Sequence, residues 1–358
     1  MTSTETDNVD QARLEEFMGR MVGYMTGSAL CLGVWLGDEL GLYRALAGAG
    51  PLTADEVADG AGCHPRLVRE WLDGQVAGGL VDYDAGGDRY TLSPEATMTL
   101  ADDDSPAFVA RAINAFGSIF MDIDKFTTAF RGDGALAWGD HHPRLFAGTE
   151  WFFRTGYRAE LPNWIGALDG VAGKLDAGGK VADVGCGHGA SVVVIAESFP
   201  EAEVHGFDYH APSIETARAR AREVGVSERT IFGVADAKGY DGTYDLICFF
   251  DCLHDMGDPV GIASYAREHL ADDGTILLVE PFALGERTTN LSDNPMAAML
   301  YTVSSVICTP NSLSQEVGLG LGAQAGEDKL RGVFEEAGYT RFRRAAETPL
   351  NLILEARL

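Results

Sequence analysis

Between residues 180 and 191 the sequence reads KVADVGCGHGAS. An apolar, β-branched run ends at Gly185, and glycine recurs at 187 and 189 before an apolar segment opens. This order implies a strand, a tight turn and the start of a helix. Glycine is needed where backbone turns sharply and a ligand lies against it. The run also satisfies G-x-G-x-x-A, so on its own it leaves a dinucleotide cofactor open. Asp183, two residues before the first glycine, argues against that reading. A carboxylate there repels a pyrophosphate and attracts a cationic ammonium or sulfonium group. Asp208 ends the next apolar run, where a carboxylate can hold both hydroxyls of a ribose. Asp236, in VADA, can accept from an adenine amino group.

The surrounding pattern says what must position these groups. From residue 180 onward, strand-like runs (KVADV, AEVHGF, RTIFGV, YDLICFF, GTILLVEPF) alternate with helical ones. Such alternation implies a parallel sheet covered by helices on both faces. Two adjacent strands are expected in GYTRFRRAAETPLNLILEARL, after a helix at 327–337. Upstream, residues 105–178 read as a helical connector rich in Phe, Trp, Tyr and Met. We therefore expect a helical N-terminal domain over 1–104, the connector over 105–178, and an α/β domain over 179–358.

The N-terminal third carries a compact set of signals. Thr53 with Glu56 forms a capping box, and Pro65 opens a second helix after the turn at Gly62. Two short strands flank Ala85-Gly86-Gly87 as a hairpin. Helix, turn, helix and hairpin together spell a winged helix. DNA binding needs a basic footprint, yet residues 38–104 hold four basic and fourteen acidic residues. The whole chain carries a net charge of −27 and repels phosphate backbones and anionic membrane surfaces. Neither nucleic acid nor membrane is expected as a partner. Residues 21–37 are uncharged but interrupted by glycine, and read as a buried or dimer-interface helix. Six cysteines without CxxC or zinc spacing suggest reduced thiols, a cytoplasmic location and no metal site. His141 and His142 read as surface-loop residues.

The motifs VADVGCGHG (181–189), GFDYH (206–210), VADA (234–237) and FFDCLHDMGDP (249–259) together resemble class I S-adenosylmethionine-dependent methyltransferases. The resemblance covers roughly residues 150–358. With the acidic winged helix, the architecture is similar to small-molecule O-methyltransferases of the caffeate type and of actinobacterial antibiotic pathways. It implies a Rossmann-like seven-stranded sheet behind a winged-helix domain that pairs two chains as a homodimer. It also implies S-adenosyl-L-methionine as cofactor, held by Asp183, Gly185, Cys186, Gly187, Asp208, Tyr209, Asp236, Ala237 and Phe250. His254 and Asp255 match the family's His-Asp pair, whose histidine is the general base, and Glu280 matches the carboxylate that orients it. A third family position, a glutamate, is Gln324 or a neighbour here, and Met256 stands where the family often has tryptophan. A small apolar or aromatic acceptor is expected against Phe153, Tyr157 and Met299. A nicotinamide-dependent oxidoreductase, a regulatory cofactor-binding protein, or the same fold running another reaction remain the alternatives.

Overall fold

The computed structural model describes residues 9–358, and the chain forms two compact units that divide after Gly117. The first unit opens with α1 (Gln11–Glu39) and α2 (Leu42–Leu46). Then come α3 (Ala54–Ala61) and α4 (Pro65–Ala77), the hairpin β1 (Asp82–Asp84) and β2 (Arg89–Thr91), and α5 (Pro94–Leu100). The capping box forms as expected: Glu56 N donates to Thr53 Oγ1 at 3.2 Å, and Thr53 N donates to Glu56 Oε2 at 2.8 Å. Leu42, Tyr43, Val57, Leu72 and Tyr90 fill the centre of this winged helix. By contrast, Phe17, Met18, Met21, Tyr24 and Met25 along α1 are exposed.

A helix α6 (Ile113–Met121) runs across the division. The second unit continues with α7 (Ile123–Arg131), α8 (Pro143–Gly166) and α9 (Val171–Asp176). The alternating part follows as β3 (Lys180–Val184), α10 (Ala190–Ser198), β4 (Glu203–Asp208), α11 (Ala211–Glu223) and β5 (Thr230–Val234). It goes on through β6 (Tyr244–Phe250), α12 (Pro259–Glu268) and β7 (Leu270–Pro281). Helices α13 (Arg287–Asp293), α14 (Ala297–Val306) and α15 (Cys308–Leu313) come next. The described chain closes with α16 (Gly326–Glu336), β8 (Arg341–Glu347) and β9 (Asn351–Arg357).

The seven strands lie in the order β5-β4-β3-β6-β7-β9-β8. The first five are mutually parallel, while β9 runs antiparallel to both β7 and β8. This is the α/β sheet expected from the alternating pattern. One face is packed by α8 to α11 through Leu161, Trp164, Ile195, Ile214 and their neighbours. The other is packed by α12 and α16 through Ile262, Leu330 and Phe334. Order reverses between β3 and β6, so their carboxyl ends open the crevice where such sheets bind ligands. Asp183, Asp208, Phe250 and Glu280 all lie at or next to those ends.

Candidate active site

The glycine-rich turn links β3 to α10, and its conformation explains its composition. Gly185 has φ +84°, and a Cβ there would sit 3.1 Å from Cys252 Sγ and 3.4 Å from the Met256 methyl. Gly189 has φ +75° and meets Phe232 and Ala217 just as closely. A side chain at either position would be strained and crowded. The backbone N–H of Gly187 donates to Asp208 Oδ2 at 2.9 Å, and that of His210 donates to Asp208 Oδ1 at 2.8 Å. Asp208 therefore ties the turn after β3 to the end of β4. Burial nevertheless raises its pKa, against those two hydrogen bonds.

Asp183 is fully buried at the base of this turn. The Ser191 hydroxyl donates to its Oδ2, while Oδ1 is buried without a partner. Burial pushes the carboxyl up to about 7, with the Ser191 hydrogen bond opposing and the Asp208 charge assisting. Cys186 is buried, and its N–H donates to the Phe207 carbonyl at 3.0 Å. Tyr209 is exposed at the head of α11, and Asp236 is exposed, its Oδ1 accepting from Lys238 N at 2.8 Å. Ala237 is half-buried beside it.

A second group stands across the turn, after β6. His254 is 3% exposed in a short 3-10 turn over Leu253–Asp255. Its Nδ1 donates to Glu280 Oε2 at 2.5 Å, and its backbone N–H donates to Glu280 Oε1 at 3.3 Å. Glu280, 1% exposed, lies at the end of β7, with Leu352 of β9 opposite. Burial pulls the imidazole down, but the Glu280 carboxylate and the Cys308 thiol beside it more than offset this. The pKa of His254 stands well above its ordinary value. Burial pushes Asp255 up to about 7, with the His254 charge opposing. With Nδ1 committed to Glu280, Nε2 is the nitrogen left to exchange a proton, with the Cys308 thiol beside the ring.

Aromatic residues gather next to this pair. Phe250 packs against Tyr157 of α8 with ring centroids 5.3 Å apart, and Phe153 stacks on Tyr157 at 5.9 Å and 11°. Met299 is half-buried on α14.

Residues 175–338 match the family described as "Methyltransferase domain", and residues 28–102 match an Rv2258c-like winged HTH domain. The chain carries a methyltransferase domain. A 27-O-demethylrifamycin SV methyltransferase from Amycolatopsis mediterranei is 30% identical over 115 residues, covering 31% of this chain and 42% of that protein. A ubiquinone biosynthesis O-methyltransferase from Pectobacterium atrosepticum is 36% identical over 105 residues, covering 28% and 41%. The chain thus spans under half the length of these curated relatives. Among solved structures, the mitomycin 7-O-methyltransferase MmcR superposes with a TM-score of 0.70 at 19% identity, covering 98% of this chain and 100% of that one. Human N-acetylserotonin methyltransferase, solved with S-adenosylmethionine, gives 0.69 at 19% identity, covering 100% and 99%. At such identities these structures show the fold.

Several features escaped the sequence. Gln324 does not reach His254. Its Oε1 accepts from Asn290 Nδ2 at 2.7 Å and Asn294 Nδ2 at 3.2 Å, and its Nε2 donates to the carbonyls of Ala323 and Phe282. The segment instead meets His254 through backbone, Gly322 N donating to the His254 carbonyl at 3.1 Å. Asp251 was overlooked although it sits beside the pair. It adopts φ +49°, its Oδ1 accepts from Asn351 Nδ2 at 2.8 Å, and its Oδ2 is buried without a partner. Only its neighbourhood in FFDCLHD could have flagged it. His141 is buried rather than in a surface loop, because Asp122, Phe126 and Trp138 close around its ring. His142 is half-buried, and its ring caps α8 by accepting from Arg144 N at 3.2 Å.

Proposed function

We propose that this chain transfers a methyl group from S-adenosyl-L-methionine to an oxygen of a small apolar or aromatic molecule, with His254 as general base. The observation that carries the reading is the buried His254–Glu280 pair facing a glycine-rich turn with Asp183 and Asp208 at its base. The donor set suits the cofactor. Asp183 presents a buried carboxylate oxygen with no protein partner, which a cationic ligand nearby would stabilise. Asp208 is already anchored by two backbone N–H groups and has lone pairs left for ribose hydroxyls. Exposed Tyr209 offers a ring face, and Asp236 and Ala237 lie at the next strand end for adenine. When bound, S-adenosylmethionine supplies an activated methyl group and departs as a neutral sulfide.

The chain's own residues then have two tasks. The first is alignment, since in-line displacement depends on holding acceptor and methyl group at near-attack distance. Phe153, Tyr157 and Phe250 form an aromatic wall suited to a flat acceptor, and we assign Met299 to the same pocket. The second is proton removal: Nε2 of His254 takes the hydroxyl proton while Glu280 steadies the resulting imidazolium. Asp255, next to the base, has its carboxyl pushed up to about 7 by burial, so it is about half protonated at neutral pH.

The exposed apolar residues of α1 support a homodimer formed through the N-terminal domain. The acidic winged helix supports a role with small molecules rather than DNA. Six unpaired cysteines suit a cytoplasmic setting. No helix among the described residues is long and apolar enough to cross a membrane. The decisive experiment incubates the protein with isotope-labelled S-adenosylmethionine and a panel of phenols, carboxylic acids and amines, read by mass spectrometry. Label on a phenolic oxygen, lost in His254→Ala without loss of cofactor affinity, supports the proposal. Label only on amines or carboxylates, or unchanged turnover in His254→Ala near pH 7, rejects the base.

A further inference from the structure

The glycine-rich turn is held from inside by Asp208, and a second set of side chains grips it from outside. Glu150 lies on α8, whose residues 150, 153, 157, 161 and 164 share one face at helical spacing. Its side chain is 6% exposed although it carries a carboxylate. Glu150 Oε2 is 2.8 Å from Arg220 Nη2 on α11 and 4.0 Å from His188 Nδ1 in the turn. Arg220 Nη1 also donates to the His188 carbonyl at 3.2 Å. One guanidinium therefore bridges a buried carboxylate and the backbone between Gly187 and Gly189. Arg154, one turn along α8, places Nη1 3.9 Å from Glu150 Oε1. Burial pushes Glu150 up, but His188 and Arg220 more than offset this and hold it below the usual carboxylate range. It is ionised across the working pH range.

A buried ion pair is a weak device for stability, because desolvation cancels most of its attraction and apolar residues of similar volume often serve as well. What apolar residues cannot do is donate to a carbonyl in the middle of a glycine-rich turn. Gly185, Gly187 and Gly189 all have positive φ, so this segment has several backbone states open to it. Clamping its central carbonyl selects one of them before ligand arrives. We propose that Glu150 and Arg220 are positioning residues, which fix the glycine-rich turn in its ligand-ready shape and so set cofactor affinity without touching the cofactor. The cofactor half of this statement rests on the methyltransferase reading above; the clamp on the turn does not.

The test uses the full chain with Glu150→Met/Arg220→Met, which removes both charges of the buried pair together, and with Arg220→Lys, which keeps the ion pair but loses the fork. Three readouts are compared with the unsubstituted protein: melting temperature, hydrogen exchange of the Gly187–Gly189 amides without ligand, and the Kd for S-adenosylhomocysteine by calorimetry. The double variant is expected to melt within a few degrees of the parent, to exchange those amides at least tenfold faster, and to bind S-adenosylhomocysteine at least tenfold more weakly. Arg220→Lys should fall between, with the KM for the acceptor unchanged. If the turn amides exchange at the parent rate in either folded variant, or the Kd stays within twofold, the proposal is overturned. Failure of the unsubstituted protein to bind S-adenosylhomocysteine would instead reject the cofactor assignment, with the exchange measurement still deciding whether the clamp exists.

Discussion

Replacing Glu280 by Gln tests the base most directly, because the substitution preserves shape and removes one charge. In the native pair the carboxylate accepts from Nδ1 at 2.5 Å, with both side chains almost fully buried. A hydrogen bond to a charged group contributes roughly 1 kcal/mol more than a neutral one. Coulomb attraction at about 4 Å between charge centres, with an effective dielectric constant of about 20, gives ~4 kcal/mol. These bounds correspond to about one to three pH units of support for the imidazolium. With that support gone, burial is opposed only by the Cys308 thiol, and the pKa of His254 falls. The sign follows. The base form is populated only above the folded pKa, so the parent's kcat should climb at a pH well above the ordinary imidazole value. In Glu280→Gln the rise should move at least one unit towards acid. Its plateau should fall roughly tenfold or more, because a weaker base accepts the acceptor's proton less readily. The assay is initial rate at saturating donor and acceptor between pH 5 and 10, with circular dichroism confirming the fold. An unmoved rise would show that Glu280 does not tune the titrating group, and the dyad argument would fail.

Asp183 ties stability to pH. Its folded pKa of about 7 lies above the ordinary 3.8, so between these values the folded protein binds a proton that the unfolded chain does not. Stability should therefore fall as pH rises through this window, by an amount on the order of 4 kcal/mol for complete ionisation; in Asp183→Asn the slope of melting temperature against pH should flatten, and an unchanged slope would count against the assignment. Asp208→Asn weakens acceptance from the Gly187 and His210 amides and, under the proposed cofactor reading, from ribose, so the Kd for S-adenosylhomocysteine should rise roughly 10- to 100-fold by calorimetry. Thr53→Ala removes the cap of α3 and should destabilise the winged helix by about 1 kcal/mol in urea titration, without altering S-adenosylhomocysteine affinity.

Where many of the candidate residues fall in the fold could be read in advance because the determinants are local. Gly185 and Gly189 are forced by backbone conformation, and Asp183 and Asp208 follow from their places at strand ends. The winged helix was legible for the same reason: Thr53, Glu56, Pro65 and Ala85-Gly86-Gly87 each mark a boundary within a few residues. What stayed hidden depends on segments far apart in the chain. Glu150 looks like any solvated helix charge until α11 brings Arg220 against it. His141 looks exposed because Asp122, which precedes α7, and Phe126 within it enclose the ring from an earlier part of the chain. The positive φ of Asp251 depends on its exit from β6 and on Asn351, a hundred positions away.

The reversed strand β9 has a consequence for biosynthesis. Glu280 emerges with β7, but its neighbour Leu352 and the Asn351 amide that holds Asp251 are made seventy or so residues later. At typical translation rates this leaves an interval on the order of ten seconds in which β7 has an open edge. During that interval the nascent sheet offers a strand-sized vacancy beside the buried Glu280, and a chaperone that shields unpaired edges would have its chief work there.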